Sequence, residues 1–456
     1  MLRPIRTGRL LAAALALAAA APAAAQQRTT VDIPFEKYTL DNGLEVILAP
    51  DSTLPTVAVD LWYNVASRNE RQGRTGFAHL FEHMMFEGSQ NVARGDHVAL
   101  LRSAGSTDLN GTTNEDRTNY YQVVPPNRLN LALWLEADRM RSLNVTAEQL
   151  RVQQEAVKEE KRMRVDNVPY ASSVYHARYT GPYDPATCFA YGHTIIGSME
   201  DLNAATLTDV QDFFRTYYAP NNVTLTLAGD FDPAQARQLI QEYFGSIPRS
   251  QQQAPEVQCT GPFTRLPARD TIRDPNAALP AFQAVYGAVE ASHADSYALE
   301  LLGSILGGGE SSRINQRLVR NEKAAQNASA GYQARRGPGL FVVFSIANQG
   351  VGADRLEKLV DEEVAKVRDR GVTAAELERA KNQLRSRSVR SLQTALGRAE
   401  ALNRYEFFLG DASSIRGDLD RYMAVTREDV QRVARKYLDP QNRLVVVTAP
   451  ARAASR

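Results

Sequence analysis

The chain has 456 residues, 43% of them hydrophobic and 23% charged, which is enough apolar material for more than one sizeable core. Its 53 basic and 52 acidic side chains leave a formal net charge of +1. That balance removes any general electrostatic case for nucleic acid or an anionic membrane surface as a partner.

Residues 1–25 form a class of their own. Arg3, Arg6 and Arg9 lead into an apolar run from Leu10 to Ala20, and Ala23-Ala24-Ala25 offers small residues for cleavage before Gln26. The pattern predicts a secretory signal peptide, because the run falls short of the roughly 20 apolar residues a membrane span needs. No later stretch is long and apolar enough to span a bilayer. The mature chain is therefore expected to be secreted, and the Ala-rich run points to a bacterial periplasm.

Thr39 to Leu48 alternates around Asp41-Asn42-Gly43, a strong hairpin signal, and Thr56 to Ala66 reads as the next strand. Gly76 to Glu87 has helical periodicity and contains the run Gly76-Phe77-Ala78-His79-Leu80-Phe81-Glu82-His83-Met84-Met85-Phe86. His79 and His83 stand four residues apart, so on a helix they share one face. At that spacing two imidazole nitrogens can reach one ion at about 2.0–2.1 Å. Glu82 shares the same side and can reach an attacking water as catalytic base without being a ligand. Leu80, Phe81, Met84 and Met85 would bury the helix around this polar stripe, and buried imidazoles and carboxylates need partners that a metal supplies. Local hydrogen bonding would explain one lone histidine, but the H-x-x-E-H spacing favours the metal.

Tyr120 to Val124 is strand-like, and Arg128 to Leu143 and Ala147 to Arg164 read as helices. A catalytic zinc usually has three protein ligands and one open position, so a third ligand is required. The helix from Ala147 offers Glu155, Glu159 and Glu160, and periodicity alone does not choose among them. Cys188 and Cys259 lie 71 residues apart (259 − 188) and lack the C-x-x-C spacing of a metal or redox site. In an oxidising compartment they could pair, but sequence does not say whether they approach. His97, His176, His193 and His293 are scattered and are read as core or surface residues.

An internal repeat divides the chain. Thr206-Leu207-Thr208-Asp209-Val210-Gln211, with Tyr217, Pro220 and Asn222, recurs as Thr426-Arg427-Glu428-Asp429-Val430-Gln431, with Tyr437, Pro440 and Asn442. Each matched position is shifted by 220 residues (426 − 206), and each copy runs on into a β-branched stretch, Val223 to Leu227 and Leu444 to Thr448. Both copies predict a Thr-capped helix, a turn and a strand. Residues 249–260 contain the polar stretch Ser250 to Pro255 and read as a linker. The expected organisation is a domain over 30–248 that carries the histidine motif and a homologous domain over 261–456 that lacks it. In the second, strands are expected near Ala281–Tyr286 and across Ala328–Ile346, with a helix near Ser296–Leu306. Mixed helices and hairpins predict an α+β fold, each domain a mostly antiparallel sheet packed with helices.

The histidine motif resembles the inverted zinc signature of the pitrilysin/insulinase metallopeptidases, a family that includes the mitochondrial processing peptidase. Leu40-Asp41-Asn42-Gly43-Leu44, Asn110 to Thr118, Leu133 to Met140 and Leu306-Gly307-Gly308-Gly309 with Ser312-Arg313 resemble further family segments in the expected order. The resemblance therefore spans nearly the whole mature chain. It implies one zinc per chain, held by His79, His83 and a Glu on a later helix. Glu160, 77 residues past His83 (160 − 83), takes that position. Where the family often has a further acid seven residues before this ligand, the chain has Gln153, which can still hydrogen-bond a ligand.

The implied activity is endopeptidase cleavage of peptides or unfolded polypeptides, with substrate added as a strand along Asn110, Gly111 and Thr112. Arg320 matches a family residue that helps hold substrate, but the tyrosine expected seven residues on is Asn327. That gap implies a second subunit, in a homodimer or in a heterodimer with a zinc-free homologue. The rival functions are a non-catalytic assembly subunit of the same superfamily and a protein that binds peptides without cutting them.

Overall fold

In a computed structural model of the chain, residues 32–450 are described apart from 253, 260 and 262–267. The signal-peptide pattern and part of the expected linker lie outside the described residues.

The alternating runs form two sheets. In the first half the strands are β1 (Glu36–Thr39), β2 (Glu45–Pro50), β3 (Val57–Tyr63), β4 (Asp108–Thr113), β5 (Thr118–Val124) and β6 (Val223–Gly229), in the order β1-β2-β6-β3-β5-β4. In the second half they are β7 (Ala268–Asp274), β8 (Ala281–Ala288), β9 (Ala325–Gln333), β10 (Gly339–Ala347) and β11 (Arg443–Pro450), in the order β7-β11-β8-β10-β9. Removing β1 makes the two orders equivalent. The pairings are antiparallel except β2 with β6 and β7 with β11, and this parallel pair recurs at the same place in each sheet. The 220-residue shift is kept in the register: Tyr63 pairs with Val223, and Tyr286 with Arg443.

The repeat also governs the helices. Leu207–Tyr217 and Arg427–Tyr437 each begin on a threonine whose hydroxyl accepts from the aspartate amide three residues on, and that aspartate accepts from the threonine amide in return. Such a cap contributes about 1 kcal/mol and fixes where the helix starts.

One face of each sheet packs against helices of its own half. The other face is covered by the opposite half. Ala395, Ala399 and Leu402 on the helix Ala395–Leu409, with Ala412 and Ile415, pack on Ile47, Ala49, Ala58, Val123 and Ala228 of the first sheet. In return Ala177, Tyr183, Cys188, Ala190 and Tyr191 pack on Val285, Leu340, Val342, Leu444 and Val446 of the second. Coverage on both faces explains why β3 is buried at every position and β8 at all but one.

Polar groups fix both exchanges. The fully buried Asp60 carboxylate accepts from Trp62 Nε1 (2.9 Å), Asn119 Nδ2 (3.1 Å) and, from the opposite half, Asn403 Nδ2 (2.9 Å). Arg335, in the loop after β9, is buried beneath the rings of Tyr179, Tyr183 and Tyr191 and pairs with Glu115 at 3.1 Å. A disulfide joins Cys188 to Cys259 and ties the exchanged segment to the stretch leading into β7.

Both tryptophans, Trp62 and Trp134, belong to the first half, so their fluorescence reports its unfolding. Leu402→Ala empties a fully buried site on the helix that the second half contributes, a loss of about 2–5 kcal/mol. Denaturant titration is expected to show the tryptophan transition moving to lower denaturant. An unchanged tryptophan midpoint would mean that the halves fold independently.

Candidate metal centre

The helix Phe77–Met84 turns Phe77, Ala78, Leu80, Phe81 and Met84 into the first core, leaving His79, Glu82 and His83 on its other side. Phe81 packs against Phe213 and Tyr218, which holds the helix in rotation. Its start is held by Glu70, whose carboxylate accepts from the amides of Gly76 (2.9 Å) and Ala78 (2.7 Å). Burial pushes the Glu70 pKa up, opposed by these amide bonds at the positive end of the helix. Glu70 was not foreseen from sequence, although an acid just ahead of a helix start is a recognisable signal.

The helix Ala147–Lys161 brings the third group. Glu155 and Glu159 turn outward to Lys158 and Arg162, their side chains 58% and 59% exposed. The Glu160 side chain is 18% exposed and faces both imidazoles. Glu160 Oε2 lies 3.5 Å from His79 Nε2 and 3.3 Å from His83 Nε2, and the three candidate ligand atoms are all within 4.8 Å of one another. Two ligands at about 2.0–2.1 Å from a tetrahedral ion stand roughly 3.3 Å apart, so the two Glu160–imidazole distances match zinc. Three protein ligands would leave one position of a tetrahedral ion for solvent.

The surroundings set each group's role. Arg164 Nη1 holds the other Glu160 oxygen at 2.9 Å. The bond with His83 keeps the Glu160 pKa low against the effect of burial, with His79 and Arg164 helping. Burial, and then the charge of His83, pulls His79 down to about 4, which keeps its ring neutral as a ligand must be. Burial also pulls His83 down, but its bond to Glu160 and the charge of Glu82 outweigh that and raise it. His83 Nδ1 lies 3.2 Å from Gln153 Oε1, which places Gln153 directly behind a ligand.

Glu82 reaches toward the edge strand β4, where the Thr113 hydroxyl bonds to its carboxyl; burial raises its pKa and that bond opposes the rise. Gly111 makes the approach possible, since a Cβ there would meet Glu82 Cγ at 3.1 Å and the Tyr120 ring at 3.0 Å. Asn110 and Thr112 flank it on the same strand, which has β5 on one side only. Arg117 Nη1 bonds to the Thr112 carbonyl at 2.9 Å and steadies that edge. Thr113 and Arg117 escaped the sequence reading because their roles depend on the β4–β5 pairing.

Arg320 is not part of this cluster. It sits in the wide turn Asn315–Asn321 of the second half, exposed and ion-paired with Glu310. Asn327 lies on β9 and accepts from the Ile346 amide at 3.1 Å. Cavities of about 590 and 1020 Å³ beside the helix Ala374–Ser391 are lined by none of the triad. Among the described residues no helix is long and apolar enough to cross a membrane.

Two family models match the chain: "Insulinase (Peptidase family M16)" over residues 45–179 and "Peptidase M16 inactive domain" over 204–384. The zinc protease PqqE of Helicobacter pylori is 26% identical over 422 residues, covering 91% of this chain and 93% of that protein. A probable mitochondrial-processing peptidase subunit beta of Arabidopsis thaliana is 25% identical, covering 88% of this chain and 75% of that one. A crystal structure of a protease from Helicobacter pylori superposes with a TM-score of 0.86 at 26% identity, over 91% of this chain and 99% of that one.

Dialysed chain is expected to take up one Zn²⁺, measured by atomic absorption, and His79→Ala or Glu160→Ala to take up little. Because His83 is raised when no cation is present, a proton competes for its ring. Uptake is therefore expected to weaken as pH falls through the His83 pKa, and a pH-independent affinity would contradict this ligand set.

Proposed function

As the chain belongs to the insulinase family, peptidase family M16, we propose that it is a zinc-dependent endopeptidase acting on peptides or unfolded polypeptides. The observation that carries this reading is the ligand-spaced triangle of His79, His83 and Glu160 with the Glu82 carboxyl beside it. Zinc held there would polarise the scissile carbonyl and activate water. Glu82 takes the proton of the attacking water and delivers it to the leaving amine, so hydrolysis proceeds without a covalent enzyme intermediate. Thr113 and the close approach at Gly111 keep that carboxyl aimed at the edge of the sheet.

Substrate binds in extended form along Asn110, Gly111 and Thr112, adding a strand to the open side of β4. Strand addition uses main-chain hydrogen bonds and suits unfolded segments. Arg320 and Asn327 stand on the second half, and the tyrosine missing at 327 is supplied by a zinc-free homologous subunit in a heterodimer, the rival being a homodimer that lacks it in both copies. The protein is exported to a periplasm, a reading that the signal-peptide pattern and the Cys188–Cys259 disulfide support.

The purified mature chain is expected to cleave a quenched fluorescent peptide, with activity lost to a chelator and restored by Zn²⁺. Peptide binding without cleavage, alone and with a homologous subunit, would instead favour the non-catalytic reading. Glu82→Gln should retain zinc and lose roughly 10²- to 10⁴-fold in kcat. Gly111→Ala should also retain zinc and lose about 10- to 100-fold in kcat, because the added methyl pushes Glu82 off line.

A further inference from the structure

Behind His83 lies a chain of contacts that ends on a buried acid. Gln153 Oε1 faces His83 Nδ1 at 3.2 Å, and Gln153 Nε2 donates to Glu87 Oε1 at 2.6 Å. Glu87 is 5% exposed, and Arg94 Nε lies 2.8 Å from its other oxygen, an ion pair that balances the charge. Gln149 Nε2 donates to the Glu87 carbonyl at 2.9 Å, which ties the turn after the histidine helix to the helix that carries Gln153.

An amide has an oxygen and a nitrogen of nearly the same shape, and here the two have opposite consequences. With Oε1 toward His83, Nδ1 carries a hydrogen, so the neutral ring that binds a cation has its lone pair on Nε2, on the side of Glu160. Turned over, the amide would present N–H to Nδ1 and favour hydrogen on Nε2, the form that cannot bind the ion. Gln153 cannot choose between these orientations alone. Glu87 can, because an ionised carboxylate only accepts, and the wrong orientation would set two oxygens 2.6 Å apart in a buried place. His79 has no such support: its buried Nδ1 finds no hydrogen-bond partner among the described residues.

We propose that Glu87, held by Arg94, is a positioning residue that orients the Gln153 amide and thereby sets His83 in its metal-binding tautomer. This rests on the zinc reading of the site and adds to it a residue outside the ligand set.

The test is Zn²⁺ affinity of the full mature chain, read by competition with a chromophoric chelator, together with the ¹⁵N shifts of the His83 ring. Glu87→Gln is expected to weaken zinc about 10- to 100-fold and to move the ring away from the Nδ1–H form. Gln153→Glu is expected to weaken it as well, by setting a second carboxylate against Glu87. The double variant Glu87→Gln with Gln153→Glu exchanges acceptor and donor and should return to within a few-fold of the parent. A merely structural role for Glu87 predicts instead that the double variant is at least as weak as the worse single. Should Glu87→Gln fail to fold, Arg94→Met serves as the second variant. Its side chain is 52% exposed, and a several-fold loss of affinity is expected.

Parent-like affinity in Glu87→Gln, in Arg94→Met where that is the variant measured, or no recovery in the double variant, overturns the relay alone. A parent chain that binds no zinc overturns the metal reading itself.

Discussion

Each sheet of this protein has two apolar faces, and its own half covers only one of them. The second face is closed by a segment from the other half: Ala395, Ala399 and Leu402 over the first sheet, Ala177, Tyr183 and Tyr191 over the second. This exchange makes one folding unit of two homologous halves, because separating them would bare both sheets to water. The short side chains of Ala395 and Ala399 let the crossing helix lie close, and Asn403 finds Asp60 beneath it only in that position. The candidate metal centre depends on the same sheet, since β3 pairs with β5 and β5 with β4, the strand that meets Glu82.

Within that frame the centre is assembled from two helices that are far apart in sequence. One brings His79, Glu82 and His83, with Glu70 on its first amides and Phe81 locked among aromatic rings. The other buries Leu150 and Val157, which brings Glu160 inward and leaves Glu155 and Glu159 outside with Lys158 and Arg162. Among the described residues no such cluster occurs in the second half, although its sheet repeats the same strand order. One copy of the repeat thus carries the candidate ligands, and the other, through Leu402 and Asn403, helps support the first.

Much of this was legible in the sequence, for reasons that differ by element. The spacing of His79 and His83 is a local property of one helix, so the motif could be read directly. The 220-residue repeat was legible because its capping threonines and aspartates act within a single turn. The choice of Glu160 over Glu155 and Glu159 needed the family resemblance, since it depends on how one helix rolls against another. The exchanged segments were missed altogether. Their pairing is long-range, and the trace they leave is indirect: strands such as Val57–Tyr63 are apolar on both faces, which an ordinary half-exposed sheet would not allow. The Cys188–Cys259 bond was left open on sequence and is present in the fold.

The crossing helix also has a meaning in time. A ribosome delivers the chain from its N-terminus, so every strand of the first sheet exists before Ala395–Leu409 has been made. During that interval Ile47, Ala58 and Ala228 have no cover, and the nascent half offers a sticky surface to any neighbour. Completion of the half with the histidine motif therefore waits on the last part of the polypeptide. A truncated product would be exposed and prone to aggregate, unable to work as a smaller version of the whole.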